Sequence, residues 1–504
     1  VHQVRAGPAH RAVPLAIASL GAGTMLVTLT LGPRLALAGA LFFVLACLVA
    51  IREASTPVIT LPSAIAALML VIWLVPIKSY RLPIDLVFNL EAYRLLLLLL
   101  VFVWIVAAAT GAADWSAGGH GKPLFLLTAF AIATQVLNSN EIDAATGEPT
   151  ALKSLSYFLS FILVFLLLCS ALKSLEQIDL VARSLVLGGM VVGIAALYEA
   201  STAYNLFDHL HQWVPVLVRE EREVIELRGG RLRVYGSAQH PIALGCALLM
   251  MVPLALYLVR RARTAARGRL WVVAAMLCGA GALATVSRTT IVMGVAMVAL
   301  ALYLQPKVLR FWPVLLVLPF LVHFTAPGAL GGIYKSFFPD RLTTELTERA
   351  GQSGSGRFSD LRPGIELWEQ KPALGHGLGS LAVPGQQQQP QPGRAAGPTL
   401  TEIIFDNQYL NTLVTQGALG LVATVWFVWG AVLKLARAAA LRRMTLPGDL
   451  IAACAVSAIG FAASMLLFDA FFFVQATIVF FAVCALGLRA RELHPVSALR
   501  PSSR

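Results

Sequence analysis

Residues 405–433 read FDNQYLNTLVTQGALGLVATVWFVWGAVL. Asp406 and Asn407 stand at the mouth of this stretch, and no charged residue occurs from Tyr409 to Leu433. About 20 consecutive, mostly apolar residues suffice for a helix to cross the hydrocarbon of a bilayer. The stretch therefore reads as a membrane span that opens on an acid–amide pair, behind a long polar segment.

Similar runs recur on both sides of it. The chain has 504 residues, 58% of them apolar and 13% charged, with a mean hydropathy of +0.76. Soluble domains carry about 25% charged residues. Apolar runs bounded by charges or by Pro and Gly predict spans at Pro14–Thr30, Leu35–Ile51, Val58–Ile77, Leu95–Ala113, Leu124–Leu137, Leu155–Leu172 and Ile178–Tyr198. Further spans are predicted at Ile242–Val259, Leu270–Val286, Thr289–Leu304, Phe311–Phe324, Tyr409–Leu433, Leu450–Phe468 and Phe471–Leu488. The fold class is all-α, a polytopic transmembrane helical bundle of about 14 spans. The short run at Leu124 and the tight pair around Asp469 set the lower bound near 12. The run after the basic residues Arg5 and Arg11 reads as a retained first span, since no small-residue cleavage site is evident.

The six cysteines, Cys47, Cys169, Cys246, Cys278, Cys454 and Cys484, fall singly in apolar runs with no CxxC or Cys/His spacing. Neither a metal site, a cofactor nor a disulfide framework is expected. The net charge of +13 reads as a topology signal rather than a nucleic-acid surface. With the N-terminus inside, cytoplasmic segments hold Arg5, Arg11, Arg52, Lys122, Lys173, the RRARTAARGR cluster, Lys434, Arg437, Arg442, Arg443 and the basic tail. Short outer loops hold only Arg34, Lys78, Arg81, Arg94 and Lys153. Both termini are expected in the cytoplasm of a bacterial inner membrane, with two long loops in the periplasm. The expected organisation is N-terminal spans (1–198), a first long loop (199–239), central spans (240–324), a second long loop (325–405), C-terminal spans (406–488) and a tail (489–504). The second loop contains a Gln/Pro tract, PGQQQQPQPGRAAGP, expected to be a mobile tip, and SFFPDRLTTELTERAG, expected to be an interfacial helix.

On this topology several ionisable groups reach one level. Arg233 precedes the span that starts near HPIALG, and Arg288 lies in the tight turn ATVSRTT. Asp406 and Asn407 open the span at Tyr409, and Arg357 and His376 lie in the loop that feeds it. An arginine at the hydrocarbon boundary is costly unless it is partnered or reaches water, and its fork suits phosphate oxygens. Arg228 and Arg231 neighbour Arg233, so any of the three could be the phosphate ligand. Asp406 also reads as the N-cap of its helix. Glu91 and Arg94 read as a structural i,i+3 pair, and Asp469 as a turn acid. His240 reads as the start of the eighth span, His323 as a core histidine, and GHGLG (375–379) as a tight bend.

These segments together resemble the bacterial O-antigen ligase/polymerase superfamily. Its ligase motif is His, then Asn, Ser or Gln, nine free positions, and Gly-x-x-Gly. Here Asp406 stands at the His position, followed by Asn407, QYLNTLVTQ, Gly417 and Gly420. RVYGSAQHP is similar to the family's Arg-x-x-Gly element at Arg233, and SRTT to its Ser-Arg turn at Arg288. GRFSDLRPGIELWEQKPALGHGLG is similar to its loop segment with Arg, Trp, Pro and Gly-x-Gly. The chain departs in having Asp for His and in lacking Asn after Pro241.

The resemblance implies a metal-independent membrane glycosyltransferase with an undecaprenyl-diphosphate-linked glycan as donor. Arg233 and Arg288 would hold the diphosphate, and Asp406 would accept or orient a sugar hydroxyl's proton. Asn407, Arg357, His376 and Arg231 would contact substrate. The acid–Asn start favours an O-antigen or exopolysaccharide polymerase; the alternative is the ligase that transfers polymer to lipid A-core. A lipid-glycan transporter would show pseudo-symmetric halves and polar breaks at mid-membrane. Here the charges gather at one face, and a purely structural subunit would leave them unexplained.

Overall fold

The computed structural model describes residues 60–84, 90–111, 114–147, 149–220, 227–228, 231–305, 361–384, 400–402 and 405–495. The helices are α1 (Leu61–Leu74), α2 (Ala92–Ala109), α3 (Gly121–Thr146), α4 (Thr150–Ala171), α5 (Leu175–Thr202), α6 (Pro241–Arg261), α7 (Ala265–Ala284) and α8 (Arg288–Leu304). There follow α9 (Leu361–Gln370), α10 (Gln408–Leu441), α11 (Leu446–Ser464) and α12 (Val474–Leu493). A 3-10 turn, Leu206–His209, runs into the four-residue helix Leu210–Trp213. Three antiparallel pairs of very short strands join connecting segments: Tyr80–Arg81 with Val218–Arg219, Leu227–Arg228 with Arg231–Leu232, and Ala382–Pro384 with Leu400–Glu402.

The helix starts follow from local chemistry. Thr60 and Ser63 close a capping box on α1, and the Ser174, Thr264 and Thr445 hydroxyls cap α5, α7 and α11. The Ile242 N–H donates to His240 Nδ1 (3.1 Å). Pro241 follows at the first helical position, where its missing N–H costs nothing. His240 thus starts its span as expected.

Eight helices, α2, α4, α5, α6, α7, α10, α11 and α12, are long and apolar enough to cross a membrane; α1 and α8 are apolar but shorter. The expected spans at 14–30, 35–51 and 311–324 lie outside the described residues, as do Arg357, His323, the Gln/Pro tract and the expected interfacial helix. Each other expected span coincides with a helix. The one expected at 124–137 is longer, extending to Thr146 through a polar second half.

Helices α3 to α8 alternate in direction, and the bonds from Gln408 N to Met465 O and from Val474 N to Gln239 Oε1 bring the starts of α10 and α12 and the end of α11 to the end where α6 starts. The starts of α4, α6, α8, α10 and α12 therefore share one end of the bundle with the ends of α3, α5, α7 and α11. We call this the upper end. Helix α12 runs through the centre and is almost wholly buried, whereas α2 leaves most of its surface exposed, including Leu98, Phe102 and Ile105. Aromatic rings fill the centre: Phe427 stacks on Phe481 (4.9 Å) and Phe461 on Phe480 (4.6 Å).

Candidate active site

Helix α10 is broken at Gly417 (φ 69°, ψ −172°). A break inside a membrane span must satisfy the backbone groups it releases. Here the segment 372–377 does so. His376 N donates to Val414 O (3.0 Å) and Gly377 N to Thr415 O (2.7 Å). Ala418 N and Leu419 N donate to Pro372 O (2.9 Å) and Ala373 O (3.3 Å). The two backbones approach so closely that a Cβ on Gly417 would lie 2.3 Å from Ala373 O, and one on Gly375 would lie 2.6 Å from Gly417 N. Both residues also hold positive φ, so glycine is required twice over.

The polar half of α3 locks this join. Thr134 Oγ1 donates toward Leu374 O (2.5 Å) and Thr415 O (3.1 Å). Gln135 Oε1 accepts from Leu378 N while its Nε2 donates to Leu378 O. Asn138 Nδ2 donates to Gly375 O (3.1 Å), and Lys371 Nζ reaches Asn138 Oδ1 (2.7 Å) and Glu141 Oε2 (2.5 Å). GHGLG is therefore the tight bend expected, held against a broken helix.

Beside the join, at the upper end, lies a cavity of about 320 Å³ between α4, α10 and the α11–α12 connection. Its polar wall comes largely from one face of α10: Gln408, Asn411, Thr415 and Gln416. Opposite stands Asp469, 5% exposed, whose Oδ2 accepts from Asn411 Nδ2 (2.8 Å). The sequence suggested only a turn acid there; the turn folds it onto α10. Gln416 is 1% exposed, and its Oε1 makes no hydrogen bond among the described residues. Lys78 and Lys153 supply positive charge, and Tyr157, Phe158, Phe161, Phe471 and Phe472 an aromatic wall.

Lys78 is firmly placed. Its backbone N–H and the Tyr157 hydroxyl both donate to Glu91 Oε1 (2.8 and 2.9 Å). Its ammonium donates to Phe472 O (3.2 Å) and lies 3.9 Å from the centre of that ring. Arg94 completes the buried network, 3.3 Å from Glu91 and 3.7 Å over the Tyr157 ring. The structural i,i+3 pair expected from sequence thus exists, and it fixes one cavity wall.

Among the residues predicted from sequence, Asn407 rather than Asp406 caps α10. The Asn407 Oδ1 accepts from Tyr409 N (2.9 Å) and Leu410 N (3.2 Å). The correction is one of register: the cap is the last residue with extended backbone before the helix, and that residue is Asn407. Asp406 precedes it, half-buried. His376 has its ring Nε2 2.8 Å from Leu367 O and its N–H on α10.

Arg233 is 7% exposed. The loop after it hangs on Glu199, which the sequence places at the start of the first long loop and the structure buries in the last turns of α5. Glu199 accepts from Tyr235 N (3.2 Å), Gly236 N (2.9 Å) and Asn205 Nδ2 (3.1 Å). Arg231 lies in the hairpin just upstream, paired with Arg228. Arg288 is the first residue of α8, half-buried, after Val286 at φ 51°, a costly conformation for a β-branched residue. The adjoining hydroxyls of Ser287, Thr289 and Thr290 are buried and make no hydrogen bond among the described residues.

Arg233, Arg288 and Asp406 all belong to the upper end, yet none of them lines the 320 Å³ cavity. That cavity is built from other residues of the motif helix and from Asp469, which sequence reading left aside. The upper end therefore combines an arginine-bearing group of turns with a polar, aromatic-walled cleft.

Residues 272–425 match the family model described as O-antigen ligase. The match takes in Arg288, His376, Asp406, Asn407 and both motif glycines, and leaves Arg233 and Asp469 outside. No curated protein matches the chain.

Proposed function

We propose a glycan polymerase as the function of this chain, which belongs to the O-antigen ligase/polymerase superfamily through residues 272–425. The donor is a glycan on undecaprenyl diphosphate, the acceptor a sugar hydroxyl, and the upper end faces the periplasm. The observation that carries the reading is the cleft on the motif helix. It offers an acid, amides and two lysines on one side and aromatic rings on the other, a combination suited to a sugar.

In this reading Arg233 and Arg288 bind the donor's diphosphate and stabilise the charge that grows on it as the glycosyl–oxygen bond breaks. The start of α8 adds its N–H groups and the Ser287 and Thr289 hydroxyls. The acceptor sugar sits in the cleft, held by Asp469, Asn411 and Gln416, with its attacking hydroxyl projecting out of the cleft past Gln408 to Asp406, which takes the proton. Two fixed cations supply the charge neutralisation that a divalent metal supplies elsewhere.

The acid at position 406 favours a polymerase. The matched family's description favours the second reading, transfer of finished polymer to lipid A-core. Deleting the gene separates them: loss of polymer chains indicates a polymerase, and chains that persist unattached to lipid A indicate a ligase. Wild-type polymer in cells that express Asp406→Ala well would remove that carboxylate from the mechanism.

A further inference from the structure

The lower end carries a second, wide-mouthed basin of about 550 Å³, formed where the start of α3 meets the ends of α10 and α12. Lys434, Arg437, Arg442 and Arg491 line it, with Glu492 as the acid on its wall. That acid is already engaged: Glu492 Oε2 is 2.5 Å from Arg489 Nη1 and accepts from Ser116 Oγ (2.7 Å).

The cations are positioned mainly by carbonyl oxygens. Lys434 Nζ donates to Gly119 O (2.9 Å) and lies 3.0 Å from His120 Nδ1. Arg442 donates to His494 O (2.9 Å) and Ala438 O (3.2 Å), and Arg491 reaches toward Gly118 O (3.5 Å). Carbonyls hold a cation in place but carry no net charge to cancel it. Burial and the Arg491 guanidinium both act against the charge on Arg442, pushing its pKa down. A cluster kept in this way is stabilised by an anion from outside the protein.

The same helix suggests the form of that anion. Leu419, Val422, Trp426, Leu433 and Leu441 are all exposed, and their spacing puts them on one stripe of α10. The stripe runs into the basin, because Leu441 is part of its wall and Arg437 continues the same face. An apolar stripe that ends in clustered cations is complementary to an amphiphile with an anionic head.

We propose that the lower basin binds the phosphate of an anionic phospholipid, whose acyl chains lie along the Leu419–Leu441 stripe of α10. The site stands at the opposite end of the bundle from the glycan cleft and is independent of the reaction assigned there.

The test uses the full chain in mild detergent, titrated with phosphatidylglycerol, phosphatidylcholine or inorganic phosphate. Bound lipid is read by native mass spectrometry and stability by the thermal midpoint. Phosphatidylglycerol should bind and raise the midpoint; phosphatidylcholine and phosphate should not. Each basic residue near a membrane surface is worth about fivefold in affinity for anionic lipid. Arg437→Gln should therefore weaken phosphatidylglycerol binding about fivefold, and Arg437→Gln with Arg491→Gln about thirtyfold. Arg437 is exposed, so the single variant keeps the test readable if the double variant unfolds. Unchanged phosphatidylglycerol affinity in the single variant, or equal stabilisation by phosphatidylcholine, overturns the proposal. The full effect from inorganic phosphate alone also overturns it, by assigning the basin to a water-borne anion.

Discussion

The two halves of the upper end are built by opposite means. The arginine side rests on unbroken helices drawn together by small residues, with Arg288 in the tight turn between α7 and α8 and Arg233 near the end of the long α5–α6 connection. A Cβ on Gly193 would lie 2.8 Å from Leu277 O, and one on Gly245 2.3 Å from Thr290 Oγ1. The cleft side rests on a helix that is broken, with its free backbone groups paired to a loop and that loop gripped by polar residues of α3. Close packing fixes a charged group rigidly, as an arginine clamp on phosphate needs. A polar join leaves side-chain amides and hydroxyls beside a cavity, as recognition of a sugar needs. The division of labour proposed above follows this contrast, and substitutions at four positions test it.

The largest effect belongs to the arginine side. Arg288→Ala should lower product formation by about 10²–10³-fold while the protein still reaches the membrane at its usual level. Arg288→Lys should recover only part, because the fork is lost. Polymer yield and membrane abundance, measured in the same cells, decide this.

Breaking the join comes next. Gly417→Ala puts a Cβ against Ala373 O at positive φ and should cost about 3 kcal/mol. A drop of about 3 °C in the thermal midpoint of the detergent-solubilised protein is expected. An unchanged midpoint would show that the loop does not pin the helix.

Asp469→Asn sharpens the assignment of the cleft. Losing a charged hydrogen-bond partner costs about 1.5–3 kcal/mol, so the KM for acceptor should rise at least about tenfold with donor binding unchanged. If donor binding falls instead, the acid belongs to the diphosphate side.

The smallest effect is expected at Asn407. As a helix cap its loss in Asn407→Ala costs about 1 kcal/mol of stability, with activity falling no more than the folded fraction does. A far larger loss of activity in a stably folded variant would return Asn407 to the substrate.

Much of the bundle is legible in the chain, because a membrane span must satisfy its backbone within itself and an apolar run leaves the helix as its main solution. The start at His240–Pro241 is legible too, since its cap is local. The polar half of α3 was not. Thr134, Gln135 and Asn138 look like the end of a span, and each is held by a bond to a residue more than 230 positions away. Glu199 and Asp469 escaped for the same reason: a buried acid is informative only once its donors are known.

By itself the sequence determined the helical class, most of the spans, the basic lower segments and the motif from Asp406 to Gly420, all consequences of composition and short spacing. The tertiary structure alone decided that the motif glycines serve a break in α10, that Asn407 is the cap, and that Asp469 meets Asn411 across a cavity. Those depend on which distant backbone groups and side chains come within hydrogen-bond reach, and spacing along a chain does not encode that.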